Sequence, residues 1–96
     1  MADTELTVRN PSGLHARPAA LFSETAGRFA SRITVENLDR DSRAVNAKSI
    51  LLVLTIGATS GSRLRLVADG PDAGEAIRTL RELVESGLGE TVDSAG

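Results

Sequence analysis

The 96-residue chain has no cysteine, tryptophan or tyrosine, and it has only one histidine, one methionine and three prolines. Without cysteine there is neither a disulfide framework nor a thiolate metal site, which fits a reducing compartment. A single histidine leaves only carboxylates as further strong ligands, so no metal centre is expected, and no cofactor is implied. Phe22 and Phe29 are the only aromatics. Their scarcity removes the stacking platforms of single-stranded nucleic-acid binders and leaves the core to Leu, Ile, Val and Ala. A dominant charge of one sign is missing too: 11 basic and 13 acidic residues are mixed along the chain for a formal net charge of −2. That mixture provides no basic stripe for nucleic acid and no polybasic segment for a membrane. No apolar run approaches the roughly 20 residues of a membrane span. The start, Met1-Ala2-Asp3-Thr4-Glu5, lacks the basic and apolar regions of a signal peptide. The expectation is a cytoplasmic, soluble protein, monomeric by default, with one domain over 1–90 and a frayed tail over 91–96.

What is present concentrates in Asn10-Pro11-Ser12-Gly13-Leu14-His15-Ala16-Arg17-Pro18-Ala19-Ala20. Pro11, Ser12 and Gly13 are turn residues, whereas Pro18 suits a first helical turn, whose amides have no intrahelical partner. His15 therefore sits just outside a helix N-terminus, where free N–H groups and aligned peptide dipoles favour an anion. An unperturbed histidine, with a pKa of about 6.5, is mostly neutral near pH 7 and offers a ring lone pair that can attack phosphorus. Arg17 carries a fork of donors matched to phosphate oxygens. Nucleophile, cation and dipole thus meet in one loop. A lone histidine also serves as an ordinary surface or hydrogen-bonded residue, and spacing alone does not choose between the two.

Periodicity gives the frame. Leu6 and Val8 alternate with polar neighbours as a first strand, and Ile33 and Val35 do so as a second. Ala19, Phe22, Ala26 and Phe29 recur at helical steps, which predicts a helix from about Arg17 to Phe29 that carries both aromatics into the core. Ala16 and Ala20, one turn apart beside the histidine, would leave a flat surface for close approach, or serve merely as good helix formers. The polar run Asn37-Leu38-Asp39-Arg40-Asp41-Ser42 reads as a hairpin connection to a short third strand, about Arg43 to Asn46. For Lys48 to Ile56 periodicity does not separate a buried strand from a short helix. As a helix, it puts Ile50, Leu51 and Leu54 on one face, and a single short turn on a small domain leaves part of that face exposed. Ser49 would open it as a favoured N-cap. Gly57 to Ser62 is a turn; no Gly-Lys-Ser/Thr follows, so a nucleotide loop is excluded, and Lys48-Ser49 lacks the preceding glycines. Leu64, Leu66 and Ala68 point inward from a fourth strand. After Gly70-Pro71 and the N-cap candidate Asp72, a stripe of Ala73, Ala76, Ile77, Leu80, Leu83 and Val84 makes the strongest helical signal, stopped by Gly87. The order of strand, helix, strand, strand, short helix, strand, helix packs as an α+β sandwich of two layers. A right-handed crossover makes the first two strands parallel with a gap that the fourth fills.

The segment Ser12-Gly13-Leu14-His15-Ala16-Arg17-Pro18-Ala19 closely resembles the active-site signature of the HPr family, histidine phosphocarriers of the bacterial phosphoenolpyruvate-dependent sugar phosphotransferase system. Val45-Asn46-Ala47-Lys48-Ser49-Ile50 resembles the family's second signature, around a regulatory serine, and Ser86-Gly87-Leu88-Gly89-Glu90 resembles a common family ending. The resemblance covers nearly the whole chain. It implies an open-faced β-sandwich with a four-stranded antiparallel sheet and two longer helices and one short helix on one face. It implies that His15 is the phosphorylated residue, Arg17 its phosphate partner and Ser49 a regulatory phosphoserine. Ala16, Ala20, Ile50, Leu51 and Leu54 would form the surface that partners grip. Those partners would be enzyme I and enzyme IIA domains and, in hosts that have them, an HPr kinase/phosphorylase and transcription regulators. Such a chain is a carrier and not a conventional enzyme. A regulatory binding module and a nitrogen-type or multidomain-system paralogue are the rival readings. The hairpin after the second strand is a few residues longer than in many members.

Overall fold

A computed structural model of the chain describes residues 1–40 and 42–89. Its sheet follows from strict alternation. In β4 (Arg63–Asp69), Leu64, Leu66 and Ala68 are fully buried while Arg63, Arg65 and Asp69 are exposed, because successive strand side chains point to opposite faces. β1 (Ala2–Thr7) and β2 (Arg32–Asn37) flank β4 and run antiparallel to it, with Leu6 opposite Leu64 and Val35 opposite Leu66. The two-residue β3 (Val45–Asn46) pairs antiparallel with β2 and completes the order β1-β4-β2-β3.

Three helices cover the apolar face: α1 (Ala16–Ala26), α2 (Ile50–Thr55) and α3 (Ala73–Glu85). α3 lies on β1 and β4, and α1 packs against both α2 and α3. Phe22, Ile33, Val35, Leu66, Leu80 and Val84 are fully buried between the layers, each contributing about 1.5–3 kcal/mol through removal from water. The opposite face of the sheet is polar; its Arg65–Asp3 pair at 3.0 Å is half exposed, and such surface pairs are screened and contribute little. The expected α+β open-faced sandwich is the observed fold.

Three local readings are corrected. The first helix ends at Ala26, not near Phe29, because Gly27, Arg28 and Phe29 turn back with amides bonded to Ser23, Thr25 and Ala26 carbonyls. Phe29 then packs on the core only partly buried and from outside the helix. The third strand is two residues, not four. Asn37 belongs to β2 and not to the hairpin run: it is fully buried, and its Nδ2 donates to the Ile56 carbonyl at 3.0 Å. Asp72 is the N-cap of α3, as expected, but its side chain makes no cap bond there. Instead its carboxylate accepts from the amides of Ala30 and Ser31, both at 2.9 Å, and from Ser31 Oγ. The Ser31 hydroxyl, and after it the Ala30 amide, hold this carboxyl below the usual aspartate range, since both bond the charged form. The tail expected over 91–96 lies outside the described residues.

Candidate functional site around His15

The loop before α1 is fastened at its base. Asn10 is fully buried and its Nδ2 donates to the Gly13 carbonyl at 2.8 Å, while the Gly13 amide donates back to the Asn10 carbonyl at 3.2 Å. Gly13 has φ +63, and an added Cβ would strike the Ala58 carbonyl oxygen and lie 2.7 Å from Thr59 Cα. The backbones approach this closely because glycine has no side chain and tolerates the left-handed region. The next amide, that of Leu14, donates to the Ala58 carbonyl at 3.0 Å, and the Leu14 side chain is buried. His15 is thereby pushed outward.

His15 is the N-cap of α1, with extended backbone (φ −135, ψ 147), an exposed side chain and no side-chain cap bond. Its ring is uncommitted to the helix it precedes. Ala16 follows at φ +47, a left-handed value that costs a residue bearing a Cβ about 1–2 kcal/mol. Strain of this kind, held by the surrounding structure, collects at functional sites. Arg17 is exposed and forms no ion pair among the described residues, and the first turn of α1 contains no acidic residue. Pro18 is buried in that turn, where its missing N–H is harmless. His15 and Arg17 are therefore both exposed at the N-terminal end of α1, where the first-turn amides have no intrahelical partner.

The surface beside it is apolar. α2 starts at Ser49, whose Oγ accepts from the Leu52 amide at 3.3 Å. Val53 and Ile56 are buried, while Ile50, Leu51 and Leu54 are exposed, Leu51 to 74%. Leu52, 43% exposed, joins them. Because α1 contacts α2 and Leu14 is tied to Ala58 just beyond it, patch and histidine loop form neighbouring parts of one surface. Of the two small residues expected to be open, Ala16 is exposed but Ala20 is half-buried. Ala20 instead lines a cleft of about 280 Å³ with Arg17, Pro18, Leu21, Leu88 and Gly89. A concavity of about 810 Å³ at the other side of β2 contains no residue of this loop, and among the described residues no group of three potential ligands could hold a metal ion.

Similarity to known proteins agrees with this geometry. The family model for the PTS HPr component phosphorylation site matches residues 2–86. The chain belongs to the HPr family. It is similar over 79 residues at 46% identity to phosphocarrier protein HPr of Treponema pallidum, across 82% of this chain and 86% of that one. The crystal structure of HPr-C-His from Thermoanaerobacter tengcongensis superposes with a TM-score of 0.88 at 44% identity, over 96% of this chain and all of that one. A multiphosphoryl transfer protein of Haemophilus influenzae is 47% identical over 88 residues, 92% of this chain but 18% of that protein. The HPr-family chain spans about a fifth of the length of the multiphosphoryl transfer proteins it matches. None of the helices among the described residues is long and apolar enough to cross a membrane.

Of the residues singled out from sequence, His15 and Ser49 are the N-caps of α1 and α2, and Arg17, Ile50, Leu51 and Leu54 are exposed. Sequence reasoning missed Asn10, Asn37 and Ala58, which hold the site together. Asn10-Pro11-Ser12-Gly13 carried a usable signal, since asparagine side chains bond backbone a few residues on. Nothing local marks Ala58.

Proposed function

We propose that this chain relays a phosphoryl group through His15, taking it from a phosphorylated histidine of enzyme I and passing it to a histidine of sugar-specific enzyme IIA domains. The supporting observation is the exposed His15 ring at the N-cap of α1, free of any cap bond and two residues from Arg17. In the accepting step the ring lone pair attacks phosphorus, a new N–P bond forms and the bond to the donor imidazole breaks; the donor ring, protonated on its other nitrogen, leaves as neutral imidazole, and the phosphorylated His15 ring, which keeps its own N–H, gives that proton to solvent. Arg17 pairs with the phosphoryl oxygens as charge spreads over them. The chain needs a protein on either side of each transfer, so it acts as a carrier and a transient covalent intermediate, not as an enzyme with a substrate of its own. Ala16, Ile50, Leu51 and Leu54 form the docking face. A phosphate on Ser49 would add about two negative charges beside that face and slow phosphorylation of His15 by any partner with acidic groups there.

Incubation with enzyme I, magnesium and phosphoenolpyruvate should give an acid-labile, alkali-stable phosphate that is lost in His15→Ala. Label persisting in that variant contradicts the assignment. Arg17→Ala should slow transfer at least tenfold while leaving the urea midpoint unchanged, because the side chain is exposed and has no ion pair to lose. Incubation with host extract and ATP tests Ser49, through acid-stable phosphate mapped to that residue.

The multiphosphoryl transfer relatives favour a second reading, in which the same histidine serves a multidomain or specialised branch of the system. Comparing the rates at which different enzyme I proteins phosphorylate the chain distinguishes the two.

A further inference from the structure

We infer that a bay at the start of β2 binds a small hydroxylated polycarboxylate, at a site separate from the histidine loop. The bay exists because the sheet is unfinished there. β3 pairs with β2 only at Thr34 and Val35, and the Ala47 amide, which donates to the Ile33 carbonyl at 2.9 Å, is the last rung before the chain turns into α2. Before Ile33, no strand among the described residues covers this edge of β2. The concavity of about 810 Å³ lies in that gap, and its volume is within the usual range for small-molecule sites.

Its polar groups follow from the pleat. Ile33 is fully buried, so Arg32 and Thr34 on either side of it project from the face of the sheet turned away from the helices. Asp69 stands across from Arg32 on β4, and Asn46 across from Thr34 on β3. Lys48, the only lysine of the chain, follows on the β3 side. Its Nζ donates to the Phe29 carbonyl at 2.7 Å, which uses one of three N–H donors. Asn46 Oδ1 accepts from the Lys48 amide at 2.9 Å, so Nδ2 is the group it has left to donate. All five residues line the bay. Another part of its wall is fixed in advance, since the Ala30 and Ser31 amides donate to the Asp72 carboxylate, both at 2.9 Å. Such preorganisation lowers the ordering cost of binding.

The ligand class follows from how these groups are spread. Arg32 and Lys48 come from different segments, β2 and the connection before α2. Each carries a single charge, so together they suit two carboxylates on one small molecule better than one compact dianion. A carboxylate at either cation gains charge-assisted hydrogen bonds, and Thr34 Oγ1 and Asn46 Nδ2 add neutral donors. Asp69 forms no ion pair with Arg32 although the two are opposite each other. Its carboxylate repels a ligand that is anionic throughout and accepts from a hydroxyl, which selects a polycarboxylate that carries one.

The test is an NMR titration of the nitrogen-15-labelled chain at pH 7 and constant ionic strength. The probes are citrate and tricarballylate, which lacks only the hydroxyl. Citrate should give saturable shifts at the amides of Arg32, Thr34, Asn46 and Gly70. Read at those amides, Arg32→Ser and Lys48→Ser should each weaken citrate about tenfold and Arg17→Ser less than about twofold, and citrate should bind about fivefold tighter than tricarballylate. Asp69→Ala should abolish that preference. Lys48→Arg keeps the charge and should retain citrate binding, which separates loss of the cation from loss of the bond to Phe29; circular dichroism checks that each variant folds. Absence of saturable shifts at these amides, or the same shifts with chloride alone, overturns the site. Equal weakening in Arg17→Ser and Arg32→Ser also overturns it, since the anion then sits by the histidine loop or responds only to net charge. Equal affinity of wild type for the two probes overturns the selection of a hydroxyl by Asp69.

Discussion

Gly13→Ala tests whether the histidine loop is truly seated on the turn after α2. The substitution adds one methyl group at φ +63, and the left-handed region costs about 1–2 kcal/mol for a residue with a Cβ. The new atom also collides with Ala58 O and Thr59 Cα, which are backbone atoms and cannot rotate aside. Loop and turn must separate, and the 3.0 Å bond from the Leu14 amide to Ala58 is lost, at a further cost of about 1 kcal/mol. The total is about 2–3 kcal/mol. For a domain of this size that lowers Tm by about 10–20 °C. Two other glycines calibrate the comparison. Gly61 has φ +93 and open space around it, so Gly61→Ala carries the conformational cost alone. Gly74, inside α3 and unobstructed, should gain about 0.5–1 kcal/mol from alanine, which is less free when unfolded. Urea unfolding at pH 7 ranks the three, and phosphotransfer should fall most in Gly13→Ala. If Gly13→Ala unfolds within about 0.5 kcal/mol of Gly61→Ala, a difference typical of neutral surface changes, the claimed contact is absent.

Asp72 ties α3 to the residues before β2, and its lowered pKa sets the direction of its pH dependence. Its contribution is complete above the unfolded value of about 3.9 and is lost as pH falls through the lower folded value. Asp72→Asn should therefore be less stable at pH 7 and lose less stability between pH 4 and pH 2, in urea titrations; Asp39, lowered by the Arg63 amide and side chain, keeps part of that acid response. An unaltered acid response in Asp72→Asn would refute the tie. Phe22→Ala, at a fully buried position, should cost about 3–5 kcal/mol. Leu51→Ala, 74% exposed, should change stability by less than about 0.5 kcal/mol yet raise the KM for enzyme I. A stability loss at Leu51 like that at Phe22 would mean that α2 is packed and not displayed.

Much of this fold was legible in the chain. The alternation of Leu64, Leu66 and Ala68 and the stripe from Ala73 to Val84 specify a strand and a helix, because each element's own repeat decides which side chains face water. The motif around His15 and Arg17 was equally plain. The short helix follows from the family resemblance alone, since nine residues of nearly continuous hydrophobicity satisfy either repeat. The end of α1 was misplaced because Phe29 kept the helical spacing after Gly27 had already turned the chain.

The amino-acid order by itself thus set the type and apolar face of the strongly periodic elements and placed His15 and Arg17 at the start of α1. Only the tertiary structure decided what holds the His15 loop outward. Asn37 meets Ile56 19 residues away and Asp72 meets Ser31 at a separation of 41; Gly13 lies against Ala58, and Arg40 against Gly57. Local periodicity reports which way a side chain faces relative to its own backbone. It has no term for the partner that another segment brings to it, and every contact that shapes the corner around His15 beyond its own loop is of that second kind.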